Sequence, residues 1–287
     1  MLKMWTNWLD FHKAVDKAGG ITVIIDFHTH VFPEQMAEKT VRKMEAEAKI
    51  KAFTNGTLQE LKCSMKENNI SFSVLLPVAT RPGQFETINR YAAEVSGKEG
   101  IISFGGIHPD TDHYKEELQE IKRLGLPGIK LHPDYQATFI DDPRMVRIIQ
   151  YAAELELIVS IHAGLDIGLP DPIHCPPERA AKMLEQIDHS NARIILAHMG
   201  GFGQWDAVEE YLVGKRVWFD TSYTLGSLPQ EQFLRIVRDH GADRILFGTD
   251  SPWSGQKEYI RYLAEMDLTE EETESIFWGN AAGLLGL

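Results

Sequence analysis

From Ile21 to its C-terminus the chain repeats one unit, a short run rich in Val, Ile, Leu and Phe followed by a longer amphipathic stretch. The apolar runs fall at 21–28, 71–78, 101–107, 128–132, 157–162, 192–198, 216–221 and 244–249. Helical stretches occupy 33–66, interrupted near Asn55-Gly56, and then 84–98, 113–124, 143–155, 177–187, 204–213, 229–240, 256–266 and 269–278. Strands this apolar need cover on both faces, and alternation with helices supplies it when the strands run parallel. The spacing therefore predicts an α/β fold, a single-domain TIM (β/α)8 barrel over 23–287 with a C-terminal helix. A doubly wound open sheet is the alternative, but its Gly-rich phosphate loop is missing.

Nearly every apolar run ends in a residue that can bind metal or carry protons. The first ends in His28 and His30, the third in His108, the fourth in Lys130 and His132, the fifth in His162, the sixth in His198, the seventh in Asp220 and the eighth in Asp250. In a barrel these ends meet on the face where catalytic groups lie. The intervals from His30 to Lys130, His162, His198 and Asp250 are about three, one, one and two units of ~31 residues, the unit length of a 250-residue barrel. In an extended strand His28 and His30 share a face, and neutral imidazole is the commonest metal ligand.

The chain has 287 residues, of which 43% are hydrophobic and 25% charged, as in a globular protein with a sizeable core. No tract approaches the ~18 apolar residues of a membrane span. A formal charge of -13 gives no field to attract phosphate backbones, which makes nucleic acid a poor partner. Cys63 and Cys175 form no close-spaced motif and are read as reduced thiols of a cytoplasmic protein. Residues 1–22 form an extension in which Trp5, Trp8, Leu9, His12 and Val15 have helical spacing, without the apolar core of a signal peptide. Two readings of it stand: a helix closing the barrel bottom, or non-native sequence upstream of a start near Val23.

The strings "DFHTH" at 26–30, "GIKLHPD" at 128–134, "SIHAG" at 160–164, "LAHMGG" at 196–201, "FGTDSPW" at 247–253 and "GNAAGLLGL" at 279–287 resemble the amidohydrolase superfamily. Within it they are similar to the amidohydrolase-related group that includes aminocarboxymuconate-semialdehyde decarboxylase-like proteins. The resemblance implies metal ligation by His28, His30, His162 and Asp250, and a catalytic or substrate-polarising role for His198. Three imidazoles and a carboxylate suit Zn²⁺, with another divalent ion such as Mn²⁺ as the alternative, and one ion per chain is favoured over two. Coordination brings the pKa of water toward ~7. Asp250 would then be ligand and general base, and His198 would steer the water or stabilise charge on the substrate carbonyl oxygen.

Lys130 keeps three readings: a carbamate bridging two metals, a substrate contact, or a buried ion pair. His132 shares its face and joins it as a substrate-binding candidate. His108 and His174 are further substrate-binding candidates, each with a plain loop role as the alternative. Asp220 either orients a neighbour or touches substrate. Arg81, after the second strand in "LLPVATRPGQ", is set to grip a substrate carboxylate with its guanidinium fork, or else to pair with a loop carboxylate. His12, His113, His189 and His240 are expected on solvated surface, and Glu270-Glu271-Glu272 in a first helical turn capped by Thr269. The function expected is metal-dependent hydrolysis of an amide, lactone or related ester in a small molecule that bears a carboxylate in one reading, by a chain able to form homo-oligomers. Non-oxidative decarboxylation of an unsaturated or aromatic acid is the alternative. A TatD-type nuclease and a non-catalytic metal- or ligand-binding protein rank below it.

Overall fold

The computed structural model describes residues 23–169, 171–188 and 190–287. The expectations for 1–22, with His12, and for His189 lie outside these residues. In chain order the elements are β1 (Ile25–Thr29), α1 (Glu34–Ala48), α2 (Leu58–Glu67), β2 (Phe72–Leu75), α3 (Phe85–Val95), β3 (Ile101–Ser103), β4 (Gly105–Gly106), α4 (Tyr114–Arg123) and β5 (Gly128–Leu131). There follow α5 (Pro143–Glu154), β6 (Ile158–Ile161), α6 (Pro177–Leu184), β7 (Arg193–Leu196), α7 (Trp205–Tyr211), β8 (Trp218–Asp220), α8 (Gln230–His240), β9 (Ile245–Leu246), α9 (Gln256–Ala264), α10 (Glu270–Glu274) and α11 (Asn280–Leu285). Local chemistry sets the helix starts: Thr57 accepts from Glu60 N at the head of α2, and Asp142 accepts from Arg144 N beside Pro143 at the head of α5. Thr269 and Glu272 form a reciprocal capping box on α10, where the acidic run was expected to be capped.

All strand pairs are parallel, in the orders β1-β2-β3 and β4-β5-β6-β7-β8-β9. The two sets join into a TIM barrel. On one side the chain runs from β3 to β4 through Phe104, whose N–H donates to Leu75 O. On the other, Phe27 N bonds Phe247 O at 2.8 Å, Asp250 N bonds His28 O at 2.8 Å and His30 N bonds Ser251 O at 2.6 Å. Phe27, Phe104, Ile158, Ile195 and Leu246 fill the interior, and Ala281, Ala282 and Leu284 of α11 pack into the same cluster. Among the described residues no helix is long and apolar enough to cross a membrane.

Three local departures from the sequence reading have physical causes. The third apolar run is split because Asn89 of α3 reaches into it, donating to Gly106 O and accepting from Gly106 N. Its amide replaces strand pairing there, and a Cβ on Gly105 would come within 2.6 Å of Asn89 Oδ1. The last helix does not stop at Trp278: it passes through a wide turn at 275–279 into α11, where Asn280 Nδ2 donates to Ala242 O and Ile245 O. His240 is fully buried, not solvated. Its Nε2 bonds Val217 O, its Nδ1 accepts from Gly214 N, and its ring stacks on Phe219. His113 is exposed, as expected.

Candidate active site

β1 carries one extra residue relative to β2, since Asp26 pairs with Ser73 but Thr29 with Leu75. That bulge lets Phe27 join the inner cluster while His28 and His30 reach the C-terminal rim. Behind them Asp26, fully buried, accepts from Thr249 Oγ1 at 2.6 Å and Gln256 Nε2 at 2.8 Å, binding the first strand to the segment that carries Asp250. Burial raises the Asp26 carboxyl to about 7 against these hydrogen bonds.

His28 Nδ1–H donates to Asp220 Oδ2 at 2.8 Å and His30 Nδ1–H to Leu76 O at 2.9 Å. Both rings thereby turn Nε2 toward a common point. His28 Nε2 and His30 Nε2 lie 3.2 Å apart, and Asp250 Oδ1 is 3.5 Å from the first and 3.2 Å from the second. Metal–nitrogen bonds of about 2.0–2.1 Å at tetrahedral angles place donors about 3.3 Å apart, so this donor set fits a divalent cation. Burial, then the Lys130 charge, lowers His28 to about 4, so its Nε2 lone pair is free at neutral pH. Burial works to raise Asp250, but His28, His30 and His198 outweigh it and hold the carboxylate at about 2. Burial is likewise outweighed at Asp220, chiefly by His28, and its carboxyl stays below the ordinary range.

His198 lies across the floor, with Nδ1 donating to Ser222 O at 2.9 Å and Nε2 3.0 Å from His162 Nδ1. Ser222 Oγ donates to Asp220 Oδ1 and lies 2.9 Å from both His28 Nδ1 and His198 Nδ1. The main chain here is left-handed at His198 (φ 60°), Met199 (φ 54°) and Asp250 (φ 70°). Such non-glycine strain gathers at functional sites when surrounding bonds fix it. Here Met199 N donates to Asp220 O and Asp250 N to His28 O. Gly164 is required by close approach: a Cβ there would sit 2.1 Å from Phe202 N, where the loops after β6 and β7 pair.

Three of the four ligand candidates are thus brought together, and His162 falls into a second group with His132 and Asp166. The His132 and His162 rings stack in parallel planes at 4.0 Å and 8°, and with Asp166 their ligand atoms lie within 4.8 Å of one another. Burial, with neighbouring cationic groups, pushes both well below the usual histidine range. His162 Nε2 is buried without a hydrogen-bond partner, 3.9 Å from Asp134 Oδ2. Lys130 is fully buried, with Nζ 3.5 Å from His28 Nε2, 3.4 Å from Ser160 Oγ and no ion pair among the described residues. Burial lowers it to about 8.

Lys130 and His132 line the cavity, whereas His108, His174 and Arg81 do not. His108 Nδ1 accepts from Asp110 N, and His174 is bonded through N and Nδ1 to Asp134. Arg81 is exposed, while its neighbours Thr80, Gly83 and Gln84 reach the wall. Asp220 orients His28. Ser222 was missed, although it follows Asp220 by two residues and so shares its face. Asp166, in the loop after β6, carries no sequence signal.

A family model described as amidohydrolase matches residues 25–287. The chain belongs to the amidohydrolase family. Among solved structures, this amidohydrolase is similar to an uncharacterised TIM-barrel protein of Bordetella bronchiseptica, with 18% identity, TM-score 0.72, and 92% and 98% of the two chains covered. It is also similar to a dihydroxybenzoic acid decarboxylase from a Polaromonas species, solved with manganese and the inhibitor 2-nitroresorcinol, with 16% identity, TM-score 0.68, and coverage of 93% and 97%. A third likeness is to a probable 2-pyrone-4,6-dicarboxylic acid hydrolase of Acinetobacter baumannii with citric acid bound, with 20% identity, TM-score 0.63, and coverage of 92% and 99%. At these identities the likeness is one of fold. No curated protein matches the sequence.

Proposed function

We propose that this amidohydrolase is a metal-dependent hydrolase of an ester, lactone or amide in a small molecule. The observation that carries the reading is the convergence of His28 Nε2, His30 Nε2 and Asp250 Oδ1 within 3.5 Å of one another. These residues would hold one divalent ion, Zn²⁺ or Mn²⁺, and His162, whose Nε2 has no hydrogen-bond partner, is a further candidate ligand across the floor. When bound, such an ion supplies Lewis acidity and makes water acidic enough to lose a proton near neutral pH.

The chain's own residues do the rest. Asp250, ionised at neutral pH, accepts the proton of the attacking water at Oδ2 and returns it to the leaving oxygen or nitrogen. His198, fixed at Nδ1 by Ser222 O, directs the Nε2 lone pair at the floor, where it accepts a hydrogen bond from the attacking water and steers it. Asp220 keeps His28 in the Nδ1–H tautomer.

A second reading, non-oxidative decarboxylation, is favoured by one feature: Lys130 Nζ stands 3.5 Å from His28 Nε2, where a cation would grip a substrate carboxylate beside the metal. The two are separated by product analysis on metal-loaded protein offered lactones, amides and aromatic acids. Hydrolysis consumes water and releases acid without CO₂, and chelation abolishes it. CO₂ release from an acid with no turnover of any lactone or amide would replace the first reading with the second.

A further inference from the structure

We propose that the cavity is built for a neutral ester or lactone carrying a hydrophobic group larger than one ring, for which a medium-length alkyl chain is the simplest case. The inference rests on the hydrolase reading and specifies its substrate.

Size is the first ground. The cavity above the histidine floor measures about 710 Å³. A dry apolar cavity of roughly 150 Å³ already takes up benzene, so a single-ring substrate at the floor would leave most of this one to water.

The walls are the second. α1 turns Met36, Thr40, Met44 and Ala48 toward the cavity at four-residue spacing, while Ala37 and Val41 go to the protein interior. Ile88 and Tyr91 of α3 and Trp253 after β9 close the other sides. Thioether side chains such as those of Met36 and Met44 adapt to chains of different shape. Five large apolar side chains are notably exposed among the described residues, and three of them, Met36 at 50%, Leu165 at 36% and Ile167 at 38%, stand at this cavity. Apolar surface gathered at a mouth marks a binding site for apolar matter.

Charge is the third. No arginine among the described residues lines the cavity. Its two lysines are Lys130, on the floor, and Lys43, whose side chain is 73% exposed and 3.6 Å from Glu47. With Asp250 and Lys130 on the floor, the rest of the lining carries Glu47 and Asp166 against Lys43. A carboxylate in the upper cavity would leave water for apolar walls where Lys43 already stands beside Glu47. The bond broken is the acyl carbon–oxygen bond: water oxygen bonds to that carbon, and the departing oxygen takes the electron pair and one water proton. An alcohol and a carboxylic acid result, joined in one molecule when the substrate is a lactone.

The test assays metal-loaded protein on γ-lactones from γ-butyrolactone to γ-dodecalactone, and titrates Asp250→Asn protein calorimetrically with the two end members. We expect kcat/KM to rise about two- to fourfold per methylene as each is buried, and γ-dodecalactone to bind the variant at least a hundredfold tighter than γ-butyrolactone. A flat chain-length profile, or a preference for γ-butyrolactone bearing a ring carboxylate, overturns the substrate class while hydrolysis stands. Strong binding of γ-dodecalactone without turnover of any lactone rejects the hydrolase reading alone and retains the apolar site. Equal binding of the two end members overturns the site itself.

Discussion

On one side of the cavity floor His28 and His30 have Nδ1 tied to Asp220 and to Leu76 O, and their Nε2 atoms meet Asp250 within 3.5 Å. On the other side His132 and His162 lie stacked in parallel planes, with one Nε2 left unbonded. His28 on the one side and His132 and His162 on the other are all buried, and burial pushes each below the usual histidine range, so neither burial nor protonation separates them. What differs is the partner on the far nitrogen: a ligand site forms where that partner turns the ring, not simply where histidines collect.

The largest effect should follow from breaking the convergent side. Asp250→Asn or His28→Ala is expected to empty the metal site and cut kcat/KM by about 10²–10⁴-fold or more, the range for losing a general base. His132→Gln, on the stacked side, should keep its metal. Metal analysis by mass spectrometry alongside kinetics reads both. Equal metal loss in His132→Gln would show that the two sides form one site.

Next in size is the orienting partner. Asp220→Asn keeps the side-chain shape but loses the charge that holds the His28 Nδ1–H, and orienting residues of this kind typically contribute 10–100-fold in metal affinity. A chelator competition should register that loss, with kcat largely recovered at saturating metal. Unchanged affinity would mean that the strand alone aims His28.

Much of this was legible before any coordinates. A polar residue closing nearly every apolar run, at intervals of about whole barrel units, is a pattern of the covalent chain, so His28, His30, His198 and Asp250 could be placed at the rim directly, with their roles implied by the family resemblance. Orientation could not. Whether His162 faces Asp250 or His198 depends on rotamers set by neighbours far away in sequence, and the Asp220 bond to His28 spans 192 residues. The β1 bulge, the Asn89 wedge and the burial of His240 are likewise tertiary events, in which a side chain from one element takes up the main chain or ring of another. Arg81 marks the limit of arguing from position alone. Its loop does lie on the active face, but the extended conformation before Pro82 leaves the side chain exposed while Gln84 and Thr80 turn inward.

The smallest expected effect concerns Lys130, which stands between the two sides and decides whether the second can be recruited. As a carbamate it would become an anionic bridge and draw in a second metal. Carbamate formation requires the neutral amine. Burial lowers Lys130 from its ordinary 10.5 to about 8, so at pH 7 roughly a tenth is neutral, and the remainder is an ammonium 3.5 Å from His28 Nε2 that opposes a second cation. As pH rises through 8 the neutral form takes over and that opposition fades. At pH 7, then, bicarbonate should change activity by less than about twofold and leave occupancy near one ion per chain. The same titration at pH 9 is the more demanding measurement, because the amine is then free to react. Occupancy near one at both pH values leaves Lys130 to contact substrate. Occupancy climbing toward two with bicarbonate at pH 7 would instead place ligands on the stacked side and erase the distinction between the two halves of the floor.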